Sequence, residues 1–160
     1  QQTLFFFFLM RYVLYDGNRP LTSLRKECDF IDNYIELMRL RYSDKVDIRT
    51  DRDEILPDAL IAPLITITYV ENAFKHGISP TEKSFIHIDI HADRQAIVCC
   101  IENSNHPKTQ ADRSGHGIGL MQVERRLELS YPGRYEWEKG IDNNVYKSQI
   151  TIYDTDMRNH

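Results

Sequence analysis

The chain has 160 residues, enough for one domain with a helical extension. Its formal charge of -4 speaks against a broad basic surface, so nucleic acid and anionic membranes are not expected as partners. Cys28, Cys99 and Cys100 show no C-x-x-C spacing, which suggests neither a disulfide framework nor a zinc site and fits a reducing, cytoplasmic setting.

Residues 3–15 read as a helix. Its cluster Phe5, Phe6, Phe7 and Phe8 is apolar on more faces than one neighbour covers, so a partner helix is expected, upstream or in another subunit. The apolar run Leu4 to Met10 is closed by Arg11, well short of the ~20 residues that a membrane-spanning helix needs. The chain starts at Gln1 without a methionine or leader pattern, and a longer parent protein is expected. After the breaker-rich Asp16-Gly17-Asn18-Arg19-Pro20, Thr22 or Ser23 is a candidate N-cap for a second helix. Along it Leu21, Leu24, Cys28, Ile31, Ile35, Met38 and Tyr42 recur at spacings of three and four, a seam for either the domain's own core or dimerisation.

Lys45 to Asp51 alternates as a half-exposed strand, and Arg52 to Leu60 is a polar loop. A third helix of about four turns then runs from Pro63, suited to a first helical position, to Gly77, suited to a left-handed residue past the end. On a 3.6-residue period Thr68, Asn72 and His76 form one polar stripe with Lys75 beside it, in an otherwise apolar helix. Asn72 offers a neutral oxygen for a hard cation such as Mg2+, Lys75 a point charge for phosphate, and His76 a further donor. A metal-bound polyphosphate suits such a stripe. Equally, Glu71 and Lys75 can be a surface i,i+4 pair, with Asn72 and His76 simply facing water.

Two antiparallel strands follow, Phe85 to Ile90 and Gln95 to Ile101, around a turn at Ala92-Asp93-Arg94. Glu102-Asn103-Ser104-Asn105 closes the second, and the Asn103 amide can accept from an adenine amino group or be an ordinary strand end. Ser104 to His116 is polar and aperiodic, a loop long enough to be a functional lid. It leads through Gly115-His116-Gly117-Ile118-Gly119-Leu120 into a helix ending near Tyr131, and glycines there allow a close backbone approach to phosphate or simply a tight loop. The spacing is neither a Rossmann fingerprint nor a Walker A loop. Past Pro132-Gly133, strands at Tyr135 to Lys139 and Val145 to Tyr153 complete an α/β sandwich with one mixed, mostly antiparallel sheet and helices on one face.

Taken together, these segments resemble the GHKL ATP-binding superfamily: Glu71 to Gly77 looks like its N box, Gly115 to Leu120 like its G2 box, and Asn103 sits where its G1 box belongs. More narrowly, Thr22 to Arg41 with its core Asp29 to Glu36, Pro63-Leu64, the N box, Gly117 to Leu120, Val123, Arg126-Leu127 and Tyr131-Pro132 are similar to sensor histidine kinases of the autolysin-regulator (LytS-like) type. The resemblance implies a Bergerat-type two-layer α/β sandwich over residues 44–156, preceded by a helical arm over 1–43 that ends the dimerisation and phosphoacceptor region. It also implies that Asn72 holds Mg2+, that Lys75 and His76 meet the phosphates, that Gly115, Gly117, Ile118, Gly119 and Leu120 contribute the second box, and that Asn103 replaces the adenine-binding aspartate. Further departures are Asn105 and Pro107 in place of glycines, Ile67-Thr68 in place of Gln-Pro, and Thr68 where hydrolytic relatives carry a general-base glutamate. The implied activity is transfer of the ATP γ-phosphoryl group to a histidine on an upstream helix, in a homodimer serving a LytTR-type response regulator, with the parent anchored in the bacterial inner membrane. No histidine precedes His76, so phosphorylation within this chain is not expected. An alternative is a non-catalytic, nucleotide-gated interaction module of the same fold.

Overall fold

The computed structural model describes residues 21–52, 59–106 and 116–153, together with Met10. The expected N-terminal helix with its phenylalanine cluster, most of the loop before Leu60, and most of the lid, Gly115 included, lie outside the described residues. In chain order the elements are β1 (Thr22–Ser23), α1 (Leu24–Tyr42), a 3-10 turn (Ser43–Lys45), β2 (Val46–Arg52), β3 (Leu60–Ile61), α2 (Ile65–His76), β4 (Ser84–Ala92), β5 (Ala96–Ser104), α3 (His116–Ser130), β6 (Tyr135–Asp142) and β7 (Val145–Tyr153). Thr22 and Ser23 form a short strand directly before α1. They pair antiparallel with Ile61 and Leu60, and this ribbon brings the Ala59 carbonyl to within 2.9 Å of the Leu24 N–H at the start of α1.

The main sheet has the order β2-β4-β5-β7-β6, with β2 parallel to β4 and the other pairings antiparallel. Parallel neighbours need a crossover, and the stretch containing α2 supplies it between β2 and β4. The period-two alternation places Ile86, Ile88 and Ile90 of β4 on one buried face with Ile97, Cys99 and Ile101 of β5 and Ile150 and Ile152 of β7. In the same core lie Leu24, Cys28, Ile31, Ile35 and Met38 of α1, Ile65, Ile67, Val70, Ala73 and Phe74 of α2, and Val123 and Leu127 of α3. The heptad-like seam of α1 thus serves this chain's own core, with Leu21 left 43% exposed at its start.

Polar anchors set the height of α2 on the sheet. The Tyr69 hydroxyl donates to Ser148 Oγ, Trp137 Nε1 donates to the same oxygen at 2.8 Å, and the two rings meet edge-on at 5.9 Å. Burial raises the pKa of the Tyr69 hydroxyl, keeping it a donor. Beyond β6 the chain reverses through Asn143 and Asn144, both left-handed (φ 50° and 62°), a conformation asparagine tolerates in two-residue hairpins. Leu127, fully buried where α3 meets α2, is a direct test of this layer. Leu127→Ala is expected to cost about 2–5 kcal/mol, read as a lower urea midpoint at unchanged m-value.

Candidate functional site

The sequence from Pro63 onwards does not enter the helix at once. Leu64 is left-handed (φ 73°) and α2 starts at Ile65, so the helix has 12 residues and is shorter than expected. Its cap comes from a distant residue rather than a local Ser or Asp. The Glu27 carboxyl of α1 accepts the Leu64 N–H at 2.9 Å and the Thr66 hydroxyl at 2.8 Å, at the N-terminal end of α2 where free N–H groups need acceptors. At the other end Gly77 has φ -93°, so the expected left-handed geometry is not adopted. What Gly77 supplies is closeness: a Cβ there would lie 2.8 Å from the Ala73 carbonyl oxygen, 2.8 Å from Asn103 Nδ2 and 2.9 Å from Asn103 Cβ.

Asn72 does not sit on a solvated stripe. It is 7% exposed because the first turn of α3 covers it, and a Cβ on Gly119 would come to 3.1 Å from Asn72 Oδ1. Gly117, Ile118 and Gly119 belong to that first turn, since α3 begins at His116 rather than after the glycines. The first-turn N–H groups of a helix have no intrahelical acceptor and suit an anion. Leu120 packs half-buried against the core. Lys75 is exposed and His76 half-buried in the last turn of α2, where positive charge also complements the helix end.

Asn103 is 5% exposed at the end of β5, and its Nδ2 donates to the Ser104 carbonyl at 2.9 Å. That bond fixes the sense of the amide and makes Oδ1 its acceptor side. Ser104 ties the strand to α2: its hydroxyl donates to the Gly77 carbonyl at 2.7 Å and accepts the Phe85 N–H at 3.1 Å. Beyond it, the Asn105 N–H reaches the Asn144 carbonyl at 2.8 Å, and His106 lies 3.0 Å from both Ser84 Oγ and Glu82 Oε2. The fold therefore joins Asn72 with Gly119, and Asn103 with Gly77 directly after His76. Ser104 and Glu27 went unread in the sequence. A carboxylate inside the apolar stripe of α1 was the one available signal for Glu27, and a serine at a strand end gives none.

Glu71, beside Lys75, is held above its ordinary pKa by burial, with the Lys75 charge partly offsetting this. The folded state then binds its proton more tightly than the unfolded chain, so the Glu71 contribution to stability declines as pH rises from about 4.5 through the raised value. Glu71→Gln is expected to remove this decline, seen as the difference between the two proteins' urea midpoints across that range. One turn earlier Thr68 lines a cleft of about 670 Å³ with Leu64, Gln122, Val123, Arg125, Arg126, Leu129 and Ser130, and none of these is a carboxylate that could activate water.

This architecture is the fold of histidine kinase catalytic domains. It matches the catalytic domain of histidine kinase ThkA with a TM-score of 0.61 at 15% identity, over 85% of this chain and 97% of that one. It also matches ThkA solved in complex with the response regulator TrrA, with a TM-score of 0.58 at 13% identity, over 96% and 48%. In sequence the chain is similar to sensor histidine kinases. A family model described as Histidine kinase matches residues 4–46. Sensor protein LytS of Oceanobacillus iheyensis is 27% identical over 74% of this chain and 23% of its own length, and sensor histidine kinase YpdA of Escherichia coli is 30% identical over 78% and 24%. The chain thus spans about a quarter of the length of these curated relatives. Among the described residues no helix is long and apolar enough to cross a membrane.

Proposed function

We propose that this chain is the ATP-binding catalytic domain of a two-component sensor histidine kinase, transferring the γ-phosphoryl group of ATP to a histidine on an upstream helix. The observation that carries this is a pair of close contacts that bring segments far apart in sequence onto one helix, Gly119 on Asn72 and Asn103 on Gly77 at the end of α2. The donor set suits Mg2+: Asn72 presents a neutral amide oxygen, and the residue covering it is a glycine. Bound with ATP, Mg2+ supplies neutralisation of charge on the β and γ oxygens. Lys75 brings a point charge to the phosphates and His76 a further donor, while Gly117 and Gly119 allow backbone N–H groups to approach. Asn103 Oδ1 accepts from the exocyclic amino group of adenine. In the transfer, a P–N bond forms to the acceptor imidazole as the P–O bond to ADP breaks, and the residues here act by positioning and charge.

In this reading residues 1–43 connect the domain to the phosphoacceptor region, and α1 is at the same time part of the core of the ATP-binding unit. The ThkA–TrrA complex supports a response regulator as downstream partner. The reading extends this to a regulator of LytTR type and to a homodimeric parent anchored in the bacterial inner membrane, with this domain on the cytoplasmic side. A second reading, a nucleotide-gated interaction module without phosphoryl transfer, is favoured by the neutral Asn103 in place of an aspartate. The two separate on incubating the chain with γ-labelled ATP, Mg2+ and a supplied acceptor-helix domain from a LytS-type relative. Acid-labile label on the acceptor is expected, whereas intact nucleotide binding with no label would favour the module.

A further inference from the structure

The end of α2 remote from Gly77 is gripped by side chains of α1, of α3 and of the turn just after α3. The Ala62 N–H donates to the Tyr131 hydroxyl at 2.7 Å, Arg126 Nη1 donates to the Pro63 carbonyl at 2.7 Å, and Glu27 accepts from Leu64 and Thr66 as described. Three consecutive backbone positions are thus fixed by residues of α1, of α3 and of the turn just after α3. Glu27 is fully buried and Leu64 is left-handed. Both features cost stability, and a local Ser or Asp cap would close the same helix end without either. Such features persist where the surroundings demand one placement. The placement at stake is that of α2 against α3. Arg126 lies about two turns from Gly119 along α3, and Thr66 lies about two turns from Asn72 along α2, so the junction and the Asn72–Gly119 contact are opposite ends of one helix pair.

We infer that Glu27 is a positioning residue for the nucleotide site: with Arg126 and Tyr131 it sets the start of α2 relative to α3, and so the seat of Asn72 beneath Gly119. Because Glu27 belongs to α1, displacement of α1 reaches Asn72 through this carboxylate. The role presupposes the Mg2+–nucleotide site proposed above.

The test compares the 160-residue chain with its Glu27→Gln variant, titrated calorimetrically with ATP in Mg2+ and in EDTA, well below the thermal midpoint of either. Glutamine keeps the side-chain length but loses the charge and one acceptor. The ratio of the EDTA to the Mg2+ dissociation constant is expected to fall by ~5-fold or more, the lower end of coupling between separated sites, with the EDTA value itself little changed. Leu64→Gly, which relieves the left-handed leucine but keeps its N–H, is expected to retain the ratio. A folded Glu27→Gln protein with the wild-type ratio would overturn the inference, because a purely structural cap changes stability and not that ratio. Should Glu27→Gln fail to fold, Thr66→Val and Arg126→Lys each remove or weaken one bond of the junction, and unchanged ratios in both would overturn it equally. A wild-type chain whose ATP affinity is indifferent to Mg2+ would instead refute the nucleotide site itself.

Discussion

Asn72→Ala is expected to abolish the Mg2+-dependent share of ATP affinity and to lower phosphoryl transfer to a supplied acceptor by ~100-fold or more, the scale of losing a preorganised electrostatic contact in a reaction run by positioning. Because Asn72 is 7% exposed and covered by Gly119, truncation also leaves a small polar gap, at a cost of about 1–2 kcal/mol. Thermal melts of the variant, alone and with ATP and Mg2+, separate the two effects. A modest drop in midpoint together with loss of the ligand-induced rise is the expected pattern. Asn72→Asp keeps the volume and an oxygen donor, and is expected to recover the stability and part of the Mg2+ dependence. Full ligand-induced stabilisation of Asn72→Ala would remove Asn72 from the site.

Gly77→Ala is the second large effect, and its cause is space rather than backbone conformation. A φ of -93° is open to alanine, yet the added Cβ would lie 2.8 Å from a backbone oxygen and 2.8 Å from Asn103 Nδ2. Neither the Ala73 carbonyl nor a side chain bonded to Ser104 can yield cheaply, so overpacking of about 1–3 kcal/mol is expected, measured by urea denaturation. The same displacement moves Asn103, so ATP affinity is expected to fall further than a matched destabilisation elsewhere, such as Leu127→Ala, would lower it. Equal affinity in the two variants would separate Asn103 from base binding.

The elements whose periodicity reports their own burial were legible in the sequence. The alternating isoleucines of β4 and β5, the apolar stripe of α1 and the antiparallel final pair all follow from side chains that point at one core. Asn72, Gly119 and Asn103 could be named as candidates only through the joint resemblance of their segments, in that order and spacing, to the N, G2 and G1 boxes; Asn103 alone reads as an ordinary strand end. What local sequence does not encode is which distant group meets a given end or face. Glu27 caps a helix 37 residues away, and no N-cap rule applied at Pro63 could find it. Gly77 looked like a helix terminator in need of positive φ, and its real constraint is a neighbour in β5. Asn72 seemed solvated because nothing on its own helix covers it, and the cover comes from the first turn of α3. The spacing of the α1 seam suits a second chain equally well, and it is the rest of this chain's core that occupies it.

The central claim is that Asn72, under the first turn of α3, anchors a Mg2+-dependent ATP site. Calorimetric titration of the chain with ATP and ADP, with and without Mg2+, beside the Asn72→Ala variant tests it most directly. The expected result is binding that requires Mg2+ and is lost in Asn72→Ala while that protein remains folded. Absence of binding by both nucleotides, or binding indifferent to Mg2+ and to Asn72, would contradict it.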